Sequence, residues 1–401
     1  MKPEYIKRFE KLGFGMFVHF GLYSMLEKGE WVYYSLDKEG KKNYFTDEFA
    51  NKFNPKKDWA TKLVRTAKKA GAKYITLTTK HHDGFFLYDS CGLTTWDSMH
   101  LGPKRDLVKE FVDACNKEGI VPFFYHAIYD WHNENFEKDF PKFIDFLVKS
   151  VEILCKNYGK IGGLWFDGFW AKPKENWQFD RLYKTIRKYQ PEAMIINNTG
   201  MGDVGKVGHY EIDSVTFERN APNLVASPDD KERAGEMCEV FGEHWGIASK
   251  DYDYKSFKEI LYSLIDCRYC NCNFLLNCGP NKNGYISFRD KLYFDALGEV
   301  IRKNKNFIYN AKRADISSDA CVILQDEKYY YAVIKDVMFS LDPNVQINEG
   351  TKQVRIPGHK IKQARYLDCK YPVALSKDKQ TIIVRPFDYG ESRCIRVVRF
   401  K

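Results

Sequence analysis

Between residues 14 and about 310, the chain alternates short apolar runs with segments of helical periodicity. The runs are almost continuously apolar or β-branched, as in parallel strands that are covered on both faces. About eight strand–helix units of this kind are typical of a (β/α)₈ barrel, and a doubly wound open sheet is the alternative. The predicted strands are 14–20, 73–79, 119–125, 163–166, 193–197, 213–217, 236–241 and 273–277.

The chain beyond residue 310 has a different character. Strand-like runs follow one another, separated by Gly, Pro, Asp and Lys, and no helical period is visible. This pattern predicts a small antiparallel β-sandwich. We therefore divide the chain into a catalytic barrel (1–310) and a C-terminal β-sandwich (311–401), which we expect to brace the barrel. The predicted strands are 320–324, 329–335, 353–356, 381–385 and 394–400.

Charge and apolar patterning disfavour several classes of protein. The net charge is +9, but basic and acidic residues are mixed along the whole chain, which indicates a solvated surface rather than nucleic-acid binding. No apolar run is long enough to cross a membrane. The first ten residues lack the apolar core of a signal peptide, and the eleven cysteines are scattered. Together these features predict a cytoplasmic protein.

One group of cysteines lies close together in the sequence. Cys267 and Cys270 have the spacing of a zinc-binding pair, and Cys272 and Cys278 follow them. No second Cys-x-x-Cys or His pair completes such a site, so we expect these thiols to pack against the barrel wall.

Polar side chains recur where the predicted barrel strands end. In a (β/α)₈ barrel, the chemistry lies at the carboxyl ends of the strands. A structural protein would have little reason to place such groups at nearly every strand end. The end residues are His19, His81, His82, Asp83, Tyr125, His126, Asp167, Asn197, Asn198, Glu218, Arg219 and Asn277.

The two carboxyl groups at strand ends have competing interpretations. Asp167 closes the buried run Gly-Leu-Trp-Phe-Asp-Gly at 163–168, where it could be a catalytic acid or a simple Asp-Gly turn. Glu218 could be the second acid, or it could pair with Arg219. The sequence alone leaves both pairs of interpretations open.

His81, His82 and Asp83 directly follow the predicted strand 73–79. They could hold a metal ion or line a pocket for a polyhydroxylated ligand. Adjacent residues of an extended segment point in opposite directions, which disfavours joint ligation of one ion. We therefore favour the sugar pocket.

Several motifs resemble the α-L-fucosidases of glycoside hydrolase family 29. Residues 13–24 (Gly-Phe-Gly-Met-Phe-Val-His-Phe-Gly-Leu-Tyr-Ser) are similar to the family's first strand, with Phe20 in place of a tryptophan. Residues 72–85 (Ala-Lys-Tyr-Ile-Thr-Leu-Thr-Thr-Lys-His-His-Asp-Gly-Phe) are the most specific match. The segments 29–31, 277–280 and 245–246 also resemble the family, with Ile247 in place of a tyrosine.

The resemblance implies a role for each candidate site residue. Asp167 matches the nucleophile, and Glu218 matches one form of the general acid/base segment. Glu236, in Gly-Glu-Met-Cys, is the competing acid/base. We prefer Glu218 because it lies at a strand end. The residues that match the substrate pocket are His19, Glu30, Trp31, His81, His82, Tyr125, Trp165 (beside the fucose methyl group) and Trp245.

The implied function is retaining hydrolysis of terminal α-L-fucose from a fucosylated oligosaccharide or glycoconjugate. This chemistry requires two carboxyl groups and no metal or organic cofactor. The resemblance implies neither a nucleic-acid nor a membrane partner, and it leaves homo-oligomer formation open. Two other classes remain open: a metal-dependent barrel hydrolase that uses His81 and His82, and a fucose-binding protein that has lost catalysis.

Overall fold

A closed barrel forms most of the molecule. The computed structural model describes residues 2–199, 205–340 and 352–401. Its barrel strands are β1 Phe14–Val18, β2 Tyr74–Lys80, β3 Val121–Ala127, β4 Gly163–Asp167, β5 Met194–Asn197, β6 Ser214–Thr216, β7 Ala234–Glu239 and β8 Cys272–Cys278. Each strand pairs in parallel with the next, and β1 closes the ring because Gly15 pairs with both Tyr74 and Leu275. The closed ring confirms the predicted (β/α)₈ barrel and rules out the alternative of an open sheet.

Eleven α-helices lie before, between and after the barrel strands in the described residues. They are α1 Glu4–Glu10, α2 Val32–Ser35, α3 Lys38–Tyr44, α4 Asp47–Ala50, α5 Trp59–Ala70, α6 Leu107–Glu118, α7 Asn135–Lys138, α8 Phe140–Asn157, α9 Phe179–Tyr189, α10 Phe257–Tyr269 and α11 Phe288–Asn310. Leu63, Val64 and Ala67 of α5 are buried, as their spacing predicts. Gly71 ends this helix in the left-handed region, with φ 92°.

The barrel interior is filled at its amino-terminal end by a helix that the strand pattern did not predict. Phe9 of α1 is buried, and its ring lies 5.7 Å from those of Tyr74 and Phe123. The Tyr74 ring crosses the interior beside Gly15, where a Cβ atom would lie 2.4 Å from it. The interior is therefore packed, and a ligand can enter the barrel only from its carboxyl end.

Two antiparallel sheets follow the barrel. Their strands are β9 Lys312–Arg313, β10 Val322–Gln325, β11 Tyr330–Lys335, β12 Lys352–Arg355, β13 Ala364–Tyr366, β14 Ala374–Leu375, β15 Thr381–Val384 and β16 Ile395–Phe400. One sheet has the order β13-β16-β11-β10-β9, and the other has the order β12-β15-β14. Buried Ile323, Ile334, Val354, Ile382 and Val398 from both sheets form one apolar cluster, so the predicted β-sandwich is confirmed.

The described residues also bear on the membrane and metal expectations. Every helix in residues 2–199, 205–340 and 352–401 is too short or too polar to span a lipid bilayer. In the same part of the chain, no three His, Cys, Asp or Glu side chains converge as a metal site would require. Cys267 is buried, with its Sγ 3.7 Å from Met237 Sδ.

Candidate active site

Asp167 is the last residue of β4 and lies at the carboxyl end of the barrel. Its Oδ2 accepts a hydrogen bond from the Tyr125 hydroxyl at 3.0 Å and faces His82 Nε2 at 3.4 Å. Its Oδ1 accepts a hydrogen bond from Asn198 Nδ2 at 3.3 Å. Burial alone would raise the pKa of Asp167, but these three neighbours outweigh burial and lower it. Asp167 is therefore ionised at neutral pH, as a nucleophile must be.

The chain turns sharply after Asp167 because the next residue is a glycine. Gly168 adopts φ 105°, and a Cβ atom there would lie 2.5 Å from the Cβ of Tyr129. A side chain at this position would meet both left-handed strain and a steric clash. The Asp-Gly pair therefore turns the chain, and it also leaves the carboxylate exposed to the pocket.

Glu218 lies two residues beyond β6, at the same end of the barrel as Asp167. Its Oε2 accepts a hydrogen bond from the same Asn198 Nδ2, at 2.5 Å. Burial, followed by the negative charge of Asp167, raises the pKa of Glu218 to about 7. Below about pH 7, Glu218 is therefore mostly protonated while Asp167 is ionised, which is the condition for one acid and one nucleophile.

The spacing of these groups carries mechanistic information. Asp167 Oδ1 and Glu218 Oε2 both contact Asn198 Nδ2. The distance between these two oxygens therefore cannot exceed the sum of their distances to that nitrogen. That sum is smaller than the roughly 6.5–9.5 Å separation of carboxyl groups in inverting glycosidases. This upper bound on one pair of oxygens favours the shorter spacing of retaining glycosidases, roughly 5–5.5 Å.

Glu236, the competing acid/base, lies inside the barrel wall. Strand β7 begins before the predicted strand 236–241, so Glu236 is its third residue rather than its first. The carboxyl group accepts hydrogen bonds from the Tyr74 hydroxyl at 2.5 Å and from Trp165 Nε1 at 2.9 Å. Burial raises the pKa of Glu236 to about 7, as for Glu218. Because the two pKa values agree, geometry distinguishes these acids, and it favours Glu218.

His19 is oriented by the end of β8. Its Nδ1 lies 2.7 Å from Asn277 Oδ1, while Asn277 Nδ2 donates to the carbonyl oxygen of Trp245. Since Asn277 presents an acceptor, the hydrogen of the ring is on Nδ1 and Nε2 is free to accept. Burial lowers the pKa of His19 to about 3, so the ring is neutral. A neutral acceptor of this kind suits a sugar hydroxyl.

His81 and His82 do not point in opposite directions, contrary to the sequence expectation. Their ring centroids are 4.5 Å apart. The reason is that β2 ends at Lys80 and the chain then turns, with Gly84 N–H donating to the His81 carbonyl. His81 stacks on Tyr125, and His82 faces Asp167 and Trp31. Both rings therefore belong to one pocket.

Glu30 and Trp31 come from the loop after β1. Glu30 Oε2 accepts backbone hydrogen bonds from Trp245 at 2.9 Å and from Gly246 at 2.8 Å, which ties this loop to the loop after β7. The Ile247 carbonyl accepts a hydrogen bond from the Gly29 N–H. Ile247, which stands in place of the family's tyrosine, therefore joins the two loops through its backbone. Trp245 lies 5.1 Å from the His19 ring.

The structure brings all ten sequence-predicted site residues to one end of the barrel or to the layer directly beneath it. Trp165 forms part of that layer, because its indole is buried between Phe17 and Tyr125. Prediction missed the aromatic residues that extend the pocket outward from Trp31. They lie outside the barrel strands, where strand periodicity gives no signal, and are Tyr34 (in α2), Tyr129, Trp131 and Trp170.

A barrel whose mouth holds one ionised and one protonated carboxyl group, surrounded by aromatic and histidine side chains, defines the class of glycoside hydrolases. The family model described as Alpha-L-fucosidase matches residues 2–306. The chain therefore belongs to the α-L-fucosidase family, and the family resemblance of the sequence is confirmed.

Individual relatives agree with this assignment. The tissue α-L-fucosidase of Rattus norvegicus is 29% identical over 344 residues, which cover 78% of this chain and 71% of the relative. A putative α-L-fucosidase of Caenorhabditis elegans is 27% identical over 328 residues, covering 75% of this chain and 65% of the relative. The chain thus spans about two thirds of the length of these relatives.

Solved structures extend the similarity over the C-terminal sheets. α-L-Fucosidase isoenzyme 1 from Paenibacillus thiaminolyticus has a TM-score of 0.83 and 29% identity, covering 99% of this chain and 98% of that one. A family 29 α-L-fucosidase of Bacteroides thetaiotaomicron, trapped as a covalent intermediate, has a TM-score of 0.81 at 21% identity, covering 100% and 96%. Because the identity is only 21%, the comparison with the Bacteroides thetaiotaomicron structure supports only the fold.

Proposed function

We propose that the protein is a retaining exo-α-L-fucosidase, with Asp167 as nucleophile and Glu218 as general acid/base. One observation carries the proposal: a lowered pKa at Asp167 and a raised pKa at Glu218, in two carboxyl groups that share one hydrogen-bond donor. Family membership supplies the substrate class, and the short spacing supports retention.

The proposed reaction has two steps. Ionised Asp167 attacks the anomeric carbon of fucose while protonated Glu218 gives its proton to the departing glycosidic oxygen. The products are a fucosyl ester on Asp167 and the released alcohol. Glu218, now ionised, takes a proton from water, which attacks the same carbon and releases α-L-fucose.

The surrounding side chains suit a single terminal sugar. His19, His81 and His82 offer ring nitrogens to hydroxyl groups, and Trp165, stacked on Tyr125, is the aromatic residue proposed to lie near the fucose methyl group. Tyr125 donates to Asp167 and so keeps the nucleophile oriented. Glu30, Trp31 and Trp245 complete the pocket wall as proposed substrate contacts. The packed barrel interior below them supports exo cleavage of a chain end.

The substrate is a fucosylated oligosaccharide or glycoconjugate, and the C-terminal β-sandwich acts as a brace. This role is supported by the contacts of α10 with the end of β11. Lys335 Nζ lies 2.6 Å from Asp266 Oδ1, and the Tyr262 hydroxyl donates to Asp336 at 3.1 Å. We accordingly keep the division into 1–310 and 311–401 as part of the proposal.

The test is hydrolysis of an aryl α-L-fucoside, followed by NMR from the first seconds of reaction. We expect α-L-fucose as the first product, with unchanged activity in EDTA and no cleavage of the matching aryl β-L-fucoside. First release of β-L-fucose would contradict retention. Loss of activity in EDTA would favour a metal-dependent barrel hydrolase. Binding of L-fucose without turnover would favour a fucose-binding protein that has lost catalysis.

A further inference from the structure

Asn198 is the first residue after β5, and its side chain lies between the two proposed catalytic carboxyl groups. Its Nδ2 donates to Asp167 Oδ1 at 3.3 Å and to Glu218 Oε2 at 2.5 Å. An amide nitrogen carries two hydrogens, so one nitrogen can serve both carboxyl groups at the same time. Glu218 Oε1 remains to carry the acidic proton.

The orientation of this amide is fixed by Thr216, the last residue of β6. The Thr216 hydroxyl donates to Asn198 Oδ1 at 2.9 Å, and both side chains are buried. A rotated amide would lose this bond and turn its oxygen toward ionised Asp167, where two acceptors would face each other. Thr216 therefore keeps the nitrogen on the side of the carboxyl groups.

We propose that Asn198, held by Thr216, is a positioning residue that spaces the two carboxyl groups and stabilises the negative charge on whichever of them carries it. This inference rests on the proposed function. In the first step, a bond forms between Asp167 and the anomeric carbon while the bond to the leaving oxygen breaks, and the Glu218 proton passes to that oxygen. The negative charge thereby leaves Asp167 and is found on Glu218. Asn198 contacts both groups, and hydrolysis of the ester returns the charge.

The proposal predicts the direction in which a pH profile will move. A donated hydrogen bond stabilises an ionised carboxylate, so Asn198 lowers the pKa of Asp167 and of Glu218. In a plot of kcat/KM against pH, the acidic limb reports the ionisation of Asp167. The basic limb reports the loss of the Glu218 proton. Removing Asn198 should therefore move both limbs to higher pH, which a loss of packing alone would not do.

The experiment measures kcat/KM against pH for four variants and the parent enzyme, on an aryl α-L-fucoside. Asn198→Ala removes the donor, Thr216→Val removes the hydroxyl that orients it, and Thr216→Ser restores a hydroxyl. Asn197→Ala is the matched control, because Asn197 is equally buried at the same strand end but donates to Tyr183.

For Asn198→Ala we expect roughly a 10- to 100-fold loss of kcat/KM, with both limbs shifted upward by about one pH unit. Thr216→Val should shift both limbs in the same direction by less, and Thr216→Ser should restore them. Asn197→Ala should lower the melting temperature without moving either limb.

If both limbs of the pH profile stay in place in Asn198→Ala, the proposed role of Asn198 is wrong. If Asn198→Ala does not fold, the same test applies to Thr216→Val. The proposed role is also wrong if Asn197→Ala shifts the limbs equally. Failure of the function itself is distinguishable, because the parent enzyme would then not cleave the fucoside.

Discussion

Glu236 accepts a hydrogen bond from the indole N–H of Trp165 at 2.9 Å, in the layer directly beneath the proposed fucose pocket. The Tyr74 hydroxyl donates to the other oxygen of the same carboxyl group. Trp165 precedes Asp167, the proposed nucleophile, by two residues on β4, so Glu236 fixes a buried aromatic ring in the layer below the proposed pocket. This arrangement favours a supporting role for Glu236 and is consistent with Glu218 as the proposed proton donor.

The first prediction concerns Glu236→Gln. An amide oxygen can accept from Trp165 while the amide nitrogen donates to the Tyr74 oxygen, so we expect folding and nearly unchanged kcat on an unactivated fucosyl disaccharide. Glu218→Gln should lose at least about 10²-fold on the same substrate, because the leaving oxygen then receives no proton. Disaccharide kinetics on both variants check this. Full activity in Glu218→Gln with loss in Glu236→Gln would reverse the assignment.

The same substitution should change the pH dependence of stability. Burial raises the pKa of Glu236 from 4.5 to about 7 in the folded protein. Between these values the folded state binds more protons than the unfolded state, so the contribution of Glu236 to the free energy of unfolding falls as pH rises. Glu236→Gln does not titrate. Urea unfolding measures the free energy of unfolding of Glu236→Gln and of the parent. We expect the difference, variant minus parent, to rise by about 3 kcal/mol from pH 4 to pH 8. A difference that does not change with pH would contradict the raised pKa of Glu236.

The second prediction separates nucleophile from acid/base by chemical rescue. Asp167→Gly should lose about 10⁴-fold or more in kcat on an activated aryl α-L-fucoside. Azide that fills the vacated space should attack from the nucleophile's face and give β-L-fucosyl azide. In Glu218→Gly the fucosyl ester still forms, so azide attacks from the opposite face and gives α-L-fucosyl azide. NMR of the two products is the measurement, and the same anomer from both variants would refute the assignment.

The third prediction concerns the basic limb of the activity profile. The pKa of Glu218 is raised to about 7 by burial and by Asp167, while the positive charge of Arg219 lowers it. Activity should fall above about pH 7, since the acid must be protonated. Arg219→Asn should move the limb to higher pH by a few tenths of a unit. Asparagine tolerates the left-handed backbone of this position, which has φ 51°.

Glu243→Gln is the matched counterpart of Arg219→Asn. Arg219 Nη2 lies 2.8 Å from Glu243 Oε2, and both side chains are partly exposed. Removing the acidic partner leaves the Arg219 charge uncompensated, so the limb should move slightly to lower pH. Both shifts should shrink in high salt, because ions screen exposed charges. Shifts of the same sign in the two variants would contradict this electrostatic account.

The fold was predictable because most barrel strands are short, largely apolar runs with a polar residue at or just after their end, as at Trp165-Phe166-Asp167. Side-chain directions beyond the strand ends were not predictable. His81 and His82 share one pocket because the chain turns after Lys80, and the role of Asn198 depends on the bond from Thr216 on the next strand. Phe9 fills the barrel from a short helix outside the strand alternation. Strand periodicity carries no signal for such contacts.

The last prediction concerns the junction of the loops after β1 and β7. Glu30 Oε2 accepts two backbone N–H groups, from Trp245 and Gly246, in a buried setting. Glu30→Ala would leave both donors unsatisfied, at a cost of about 1–3 kcal/mol each. We expect a lower melting temperature and a raised KM, because Trp31 and Trp245 lose their common anchor.

Two further variants at this junction separate its contributions. Glu30→Gln retains an acceptor oxygen for the two N–H groups, so it should recover most of the stability lost in Glu30→Ala and isolate the effect of the charge on fucose affinity. Lys28→Ala, at an exposed position of the same loop, is the control and should change neither quantity. Calorimetric titration with L-fucose and thermal unfolding check all three variants. Equal stability losses in Glu30→Gln and Glu30→Ala would mean that the carboxylate charge, rather than its acceptor geometry, holds the two loops together.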